Sequence, residues 1–373
     1  MTFKGLPMLV LNGRMMTRPL KGVGRVAAEL SGALLRLHAA GQGPEVYIAR
    51  PAAPVHDPDS WPGLLHSLKV VSTAPRNGHL WEQLELARVA PKGWQLNLCN
   101  TGPVLRSRQV LMIHDAQAFR QTASYSLVFR LFYRVLLPLI AKRARILTTV
   151  SDFSRHELEA LGVFPKGKAH VVHNGVDHFD RIIPDPATLR RHALTDGGYF
   201  LALGSLAPHK NLKRLLEAAR ARPTGALPLI IAGGQNSRIF RDEGLSAGNG
   251  VHFIGRVSDA ELKALYGSAR ALVFPSITEG FGLPPLEAMS CGCPVIATTG
   301  GAVPEVCGEA AIYADPLAPD EWTDAMMKLE CDEQLVEALS IRGRAHAAGF
   351  TWQKAAEQIL QLIAESERRD QAG

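Results

Sequence analysis

The sequence predicts an α/β protein built as two doubly wound domains, and three observations predict it. Short runs rich in aliphatic and β-branched residues recur along the chain, each ending near Gly, Asn, Asp or Ser and followed by helical periodicity. Continuous apolar strands alternating with helices are the pattern of a parallel sheet covered on both faces. The runs form two series, separated by "DRIIPDPATLRRHALTDGG" (180–198), whose Pro, Asp and Gly content suits a linker. The length, 373 residues, is that of about two domains.

In chain order, the first series is "PMLVLNG", "EVYIAR", "WQLNLCN", "QVLMIHD", "RILTTVS" and "AHVVHNG". The second is "YFLALGS", "LIIAGG", "VHFIG", "ALVFPS", "PVIATT" and "AAIYAD". The domains are therefore placed at 1–179 and 180–351, and a last helix, about 352–373, follows the second series. Ligands of open parallel sheets bind at the carboxyl ends of strands, so the residues just after each run are the candidates for function. Two such rims facing each other would share one cleft.

Composition narrows the functional classes. Apolar residues make up 46% and charged residues 20%, as in ordinary globular proteins. Lys and Arg exceed Asp and Glu by 41 − 35 = 6. That diffuse surplus, with no run of five basic residues, does not point to nucleic acid. No secretory signal and no apolar stretch of about 18 residues is visible. The five cysteines are an odd, scattered set, consistent with reduced thiols and a cytoplasmic location. The pair Cys291 and Cys293 lacks a second pair or a nearby His, so no metal site is expected there. "DPD" at 57–59 imitates an Asp-x-Asp metal motif but lies in a proline-rich loop.

The segment "TEGFGLPPLEAM" (278–289) carries the most chemistry. Glu279 follows the strand "ALVFPS" in a Gly-containing loop, and Pro284 or Pro285 suits the first position of a helix. Glu287 then lies within the first two helical turns. Glycine lets the backbone approach a ligand closely, and the free N–H groups of a helix start attract an anion. The segment thus offers an anion site flanked by two carboxylates able to hold neutral hydroxyls. Either Glu alone would read as a helix-dipole partner.

With "GSLAPHKN" (204–211), "GRVSDAEL" (255–262), "CGCPVIATTGG" (291–301), "VPEV" (303–306) and "HNGVD" (173–177), this segment resembles the retaining GT-B glycosyltransferases of the Glu-x7-Glu (group 1, family 4) type. The resemblance extends over nearly the whole chain, and the chain is similar to bacterial mannosyltransferases. It implies two Rossmann-like domains facing across a cleft, the first binding the acceptor and the second the donor. The final helix would pack back on the first domain.

The resemblance also implies roles. Glu279 would contact the donor sugar and Glu287 the ribose, while Phe281, Gly282 and Leu283 would lie along the diphosphate. Lys210, at the carboxyl end of "YFLALGS", would stabilise the departing diphosphate, as a fixed cation does where charge develops. The sequence departs from the common pattern at Ser205 and His209, where many members carry Arg. His209 supplies a second cation only if protonated. Val257 would lie near the base through its backbone, although Ser258 and Glu261 form a capping box by themselves. In "GVGR", Gly24 and Arg25 would approach donor phosphates or acceptor. In "MIHDAQAF", His114 would touch the donor sugar beside Asp115.

The implied function is transfer of a hexose, mannose by first choice, from a GDP- or UDP-sugar to a glycan or lipid-linked acceptor, with retention, in cell-surface polysaccharide or glycolipid synthesis. No metal or other cofactor is implied. The alternatives are a sugar-nucleotide-binding protein without turnover and a two-carboxylate glycosidase. The stretch 126–147 places Arg130, Arg134, Lys142 and Arg145 in apolar surroundings. It reads as a buried helix with a solvated stripe or as an interfacial helix at the inner face of a membrane.

Overall fold

The computed structural model describes residues 2–20, 22–56, 61, 63–66, 68–74, 76–120, 127–205, 207–234 and 250–372. The "DPD" loop lies outside the described residues, as does the side chain of Arg130. The chain divides into two compact units. Unit 1 comprises Met1–Gly175 with Thr351–Gly373, and unit 2 comprises Val176–Phe350. The first division falls just before the linker read from composition.

Unit 1 holds strands β1 (Leu9–Asn12), β2 (Val46–Pro51), β3 (Val70–Ala74), β4 (Trp94–Asn97), β5 (Gln109–Met112), β6 (Ile146–Thr149) and β7 (Ala169–Val171). They pair in parallel in the order β3-β2-β1-β4-β5-β6-β7. Unit 2 holds β8 (Phe200–Gly204), β9 (Leu229–Gly233), β10 (Val251–Gly255), β11 (Ala271–Phe274), β12 (Val295–Thr298) and β13 (Ile312–Ala314), ordered β10-β9-β8-β11-β12-β13. Each of the twelve apolar runs falls on one of these strands, β2 extending one residue past its run. The strand without a run is β3, at the edge of its sheet; Val70 is exposed there, so no continuous apolar stretch marks it.

The helices needed below are α1 (Val23–Ala39), α2 (Gly78–Leu84), α3 (Leu127–Arg143), α4 (Leu212–Ala221), α5 (Asp259–Ser268), α6 (Leu283–Ser290), α7 (Val303–Cys307) and α8 (Trp352–Ala372). The interiors of β1, β4, β5, β11 and β12 are fully buried, as expected of strands covered on both faces. The core of unit 2 gathers Phe200, Ile231, Val273, Ile296 and Trp322. Each such side chain contributes about 1.5–3 kcal/mol on burial.

Helix α8 follows unit 2 in sequence yet belongs to unit 1. It packs on α1. Glu367 accepts from Trp94 Nε1 at 2.8 Å and pairs with Arg108, and Gln358 donates to the Val171 carbonyl at 2.7 Å. The chain leaves unit 1 at Gly175 and returns at Thr351. A side chain at Gly175 would collide with the Trp352 backbone.

Candidate functional site

In each sheet the strand order reverses once, between β1 and β4 in unit 1 and between β8 and β11 in unit 2. Loops leaving such a pair diverge to opposite sides of the sheet and leave a crevice at the carboxyl ends. Each unit has its most elaborate polar constellation at that position.

In unit 2 the loop after β8 carries Lys210 and the loop after β11 carries Glu279. Lys210 Nζ lies 2.6 Å from Glu279 Oε1 and 5.7 Å from the centre of the Phe274 ring. Asn211 positions Lys210. It adopts a left-handed conformation, φ +56°, which Asn tolerates better than most residues. Its buried amide donates to the carbonyls of Pro275 at 3.1 Å and Pro316 at 2.6 Å. The backbone N–H of Ile277 donates to the His209 carbonyl at 2.7 Å, joining the two loops directly.

A third loop supports Glu279 from the end of β12. The Ala302 N–H donates to the Glu279 carbonyl at 3.0 Å. At Gly301, φ +68°, a Cβ would lie 2.5 Å from Glu279 N, so only glycine allows this approach. Gly282, φ +109°, turns the chain into α6, a conformation that a side chain would strain. Leu283 opens the helix, with Pro284 and Pro285 as its second and third residues; the helix thus begins one residue before the position read from the prolines. Prolines there remove donors that a first turn leaves unpaired.

Glu287 lies one turn into α6, mostly buried, with Oε1 3.3 Å from His178 Nε2. The Phe281 ring is buried and packs edge-on to Phe350 at 6.2 Å. That ring is occupied with core packing, so only the Phe281 backbone is left to serve a donor. Ser205 accepts from the Ala207 N–H at 3.3 Å. His209 is half-buried, and burial followed by the Lys210 charge pushes its imidazole below the usual range, against a smaller opposing pull from Glu279. In the ligand-free chain these surroundings disfavour the protonated form that would serve as a second cation. Val257 is partly exposed between β10 and α5, where Ser258 and Glu261 form the anticipated capping box.

Gly24, Arg25 and His114 belong to unit 1. Gly24 is the second residue of α1 and lines a cavity of about 420 Å³ that also meets Arg14, Arg18, Asp115, Phe119 and Tyr133. Arg25 is partly exposed in the same turn. His114, after β5, is buried, with Nε2 2.8 Å from the Leu98 carbonyl. Since a carbonyl only accepts, Nε2 carries the proton. Burial pushes the imidazole down to about 4, with the Leu98 hydrogen bond acting weakly against it; His114 is neutral at pH 7. Asp115 accepts from the Gln117 N–H at 2.9 Å.

Beneath this cavity lies a network that sequence reading missed. Glu82 on α2 is fully buried. It accepts from Asn12 at 2.8 Å and from Thr101 at 3.1 Å, and lies 3.0 Å from Arg14 Nε and 3.1 Å from His79 Nδ1. Arg14 Nη2 also donates to Thr101 at 2.6 Å. Burial raises the Glu82 carboxyl, but the His79 hydrogen bond, the Arg14 charge and Asn12 outweigh it, and the net shift is downward. The buried charge is therefore paired and saturated with donors, the condition under which such a charge is tolerated. Two signals were present: polar "NGR" (12–14) at the end of an apolar strand, and Glu82 beside Trp81 in "HLWEQL". His178 was missed by one position, next to "HNGVD".

Residues 188–346 match the family described as glycosyl transferases group 1, and residues 20–178 match glycosyltransferase family 4. The O-antigen chain mannosyltransferase RfbU of Salmonella typhimurium is 30% identical over 270 residues, 72% of each chain. The O-antigen chain mannosyltransferase B of Escherichia coli is 35% identical over 231 residues, which are 58% of this chain and 60% of that enzyme. Anabaena HepE, solved with UDP and glucose, superposes with a TM-score of 0.71 at 17% identity, covering 96% of this chain and 99% of its own; that likeness concerns the fold. With both matched segments, the relation to RfbU and the shared GT-B fold in agreement, the chain belongs to the group 1, family 4 glycosyltransferases.

Proposed function

We propose that the protein transfers a hexosyl group, mannose by first choice, from a nucleoside diphosphate sugar to a glycan or lipid-linked acceptor in polysaccharide synthesis, with retention of configuration. The observation that carries this reading is the Lys210–Glu279 contact of 2.6 Å at the strand-order reversal of unit 2. A cation placed for a diphosphate and a carboxylate placed for a sugar meet beside a helix start. On donor binding, the diphosphate takes Lys210 and frees Glu279 for the sugar hydroxyls. Glu287 holds the ribose. Charge developing on the leaving diphosphate is met by Lys210 and by the backbone N–H groups of Gly282 and Leu283 at the entry to α6, where Pro284 and Pro285 have none to give. The two O-antigen relatives are named for mannosyl transfer, which supports mannose and a polysaccharide acceptor.

The acceptor is assigned to the 420 Å³ cavity of unit 1, whose lining combines Arg14, Arg18 and Asp115 with Phe119 and Tyr133, a mix of polar and aromatic groups that suits a sugar. A peripheral membrane contact is part of the proposal. On α3 the side chains of Leu131, Phe132, Val135 and Leu139 are exposed, alongside exposed Arg134 and Lys142. An apolar stripe edged by cations suits an anionic interface. Among the described residues no helix is long and apolar enough to cross a membrane.

The test is incubation with GDP-mannose, GDP-fucose, UDP-glucose and UDP-galactose, with and without O-antigen-type oligosaccharides, measuring released nucleoside diphosphate and the anomeric configuration of the product by NMR. Release from one donor with a retained anomer is expected. Release from none, or an inverted product, overturns the reading.

A further inference from the structure

We propose that His178 is a positioning residue for nucleotide recognition: it holds the Glu287 carboxylate in the orientation that reads the ribose hydroxyls. The inference rests on the role given to Glu287 above. Its basis is the surroundings of that carboxylate. Glu287 is almost closed off from solvent, and a carboxylate so placed requires a donor or a positive partner. Ser290 Oγ donates to the Glu287 backbone carbonyl, not to the carboxylate. Lys263 on α5 is engaged by the Phe179 carbonyl at 2.5 Å. The Tyr266 hydroxyl is buried without a hydrogen-bond partner. Among the described residues, His178 is the one group at ion-pair distance from Glu287, 3.3 Å.

The imidazole is itself held. It is 2% exposed and packs edge-on to Phe179 at 5.1 Å. Phe179 in turn contacts Tyr266 at 5.9 Å. The turn Phe179–Arg181 packs on α6, and Lys263 fixes it from α5. His178 therefore occupies a set place two residues after the chain enters unit 2 at Val176, where Val176 N–H bonds the Phe350 carbonyl at 2.9 Å.

In the ligand-free chain His178 Nε2 approaches Glu287 Oε1 at 3.3 Å, an ion-pair distance. Polar contacts of this kind tighten when the ligand arrives. Two vicinal ribose hydroxyls engage both carboxylate oxygens and turn the group within its plane; Nε2–H then closes on the lone pair left behind. A carboxylate oxygen takes a hydrogen bond from an N–H, so the Nε2–H tautomer is the one that serves this contact. His178 touches no substrate atom and acts only through Glu287.

The experiment measures, by calorimetry, binding of guanosine and uridine diphosphates and of their 2′,3′-dideoxy forms to the full chain and to His178→Leu, His178→Gln and His178→Asn. The preferred wild-type nucleotide should lose affinity when the two hydroxyls are removed. His178→Leu should weaken the ribonucleotide about 10-fold, one hydrogen bond to a charged group, and leave the dideoxy form unchanged. In turnover, donor KM should rise while kcat at saturation holds. A glutamine amide reaches the place of Nε2 and an asparagine amide that of Nδ1, so Gln should restore the ribose preference and Asn should not. That pair carries the test even if His178→Leu fails to fold. Equal weakening of ribo and dideoxy forms, or equal behaviour of Gln and Asn, overturns the role of His178. If the wild type binds a ribonucleotide and its dideoxy form alike, the assignment of Glu287 to the ribose falls first, and this inference with it.

Discussion

Lys210→Ala separates a catalytic cation from a structural one. In the ligand-free chain Lys210 touches Glu279 at 2.6 Å and lies over Phe274 at 5.7 Å, with its side chain 28% exposed and that of Glu279 13% exposed. A partly solvated pair of this kind is worth at most about 1 kcal/mol, and the ring contact about 0.5–1 kcal/mol. The loop conformation is secured independently, by Asn211 on two carbonyls and by Ile277 N–H on the His209 carbonyl. Folding stability should therefore drop by no more than about 2 kcal/mol. The transition state is different. Removing one fixed charge-stabilising donor typically costs about 2.7–4 kcal/mol, a fall in kcat of about 10²–10³. Urea unfolding at constant m and steady-state release of nucleoside diphosphate measure the two effects separately. A kcat within about threefold of wild type would refute the placement of Lys210 at the leaving group. A stability loss above about 3 kcal/mol would show that the pair holds unit 2 together, leaving the kinetic effect uninterpretable as catalysis.

The two glutamates should separate in the same assays. Glu287→Ala should weaken nucleoside diphosphate and donor alike, by about 10- to 150-fold for one bond to a charged acceptor. Glu279→Ala should lower kcat and leave nucleoside diphosphate affinity nearly unchanged, and equal weakening by both substitutions would end that division of labour. Glu82→Ala leaves the Arg14 guanidinium buried without its partner and should cost about 3–5 kcal/mol, read by urea unfolding; a loss under about 1 kcal/mol would show that the network does not support unit 1. For His114, burial lowers the folded-state value to about 4, against about 6.5 in the unfolded chain. Below pH 6.5 the unfolded chain takes a proton that the folded chain refuses. The contribution is thus complete above pH 6.5 and falls as pH drops towards 4, by about 3 kcal/mol in total; His114→Phe should flatten that part of the pH profile. An NMR titration placing the His114 imidazole at 6 or above would contradict it.

Alternation of apolar runs was enough to read twelve strands and two parallel sheets from the sequence, because strands buried on both faces can carry almost nothing but apolar residues. Edge strand β3 escaped the same reading, since an edge strand needs no apolar face on its outer side. The loop before α6 and the helix start were legible in the Glu279–Glu287 segment, because glycines free a turn and prolines suit a first helical turn. Tertiary structure alone decided which groups meet. Lys210 and Glu279 are 69 residues apart in the chain and become neighbours only because β8 and β11 are adjacent in the sheet. His209 reads from sequence as a candidate cation, and its burial beside Lys210, which disfavours the charged form, shows only in the folded chain. Packing decides that the Phe281 ring faces Phe350 and leaves its backbone for a donor. The pairing of Arg14 with Glu82 and the approach of His178 to Glu287 are not written in any one segment, because a charge can be buried only where distant segments bring its partners, and sequence spacing does not record that convergence.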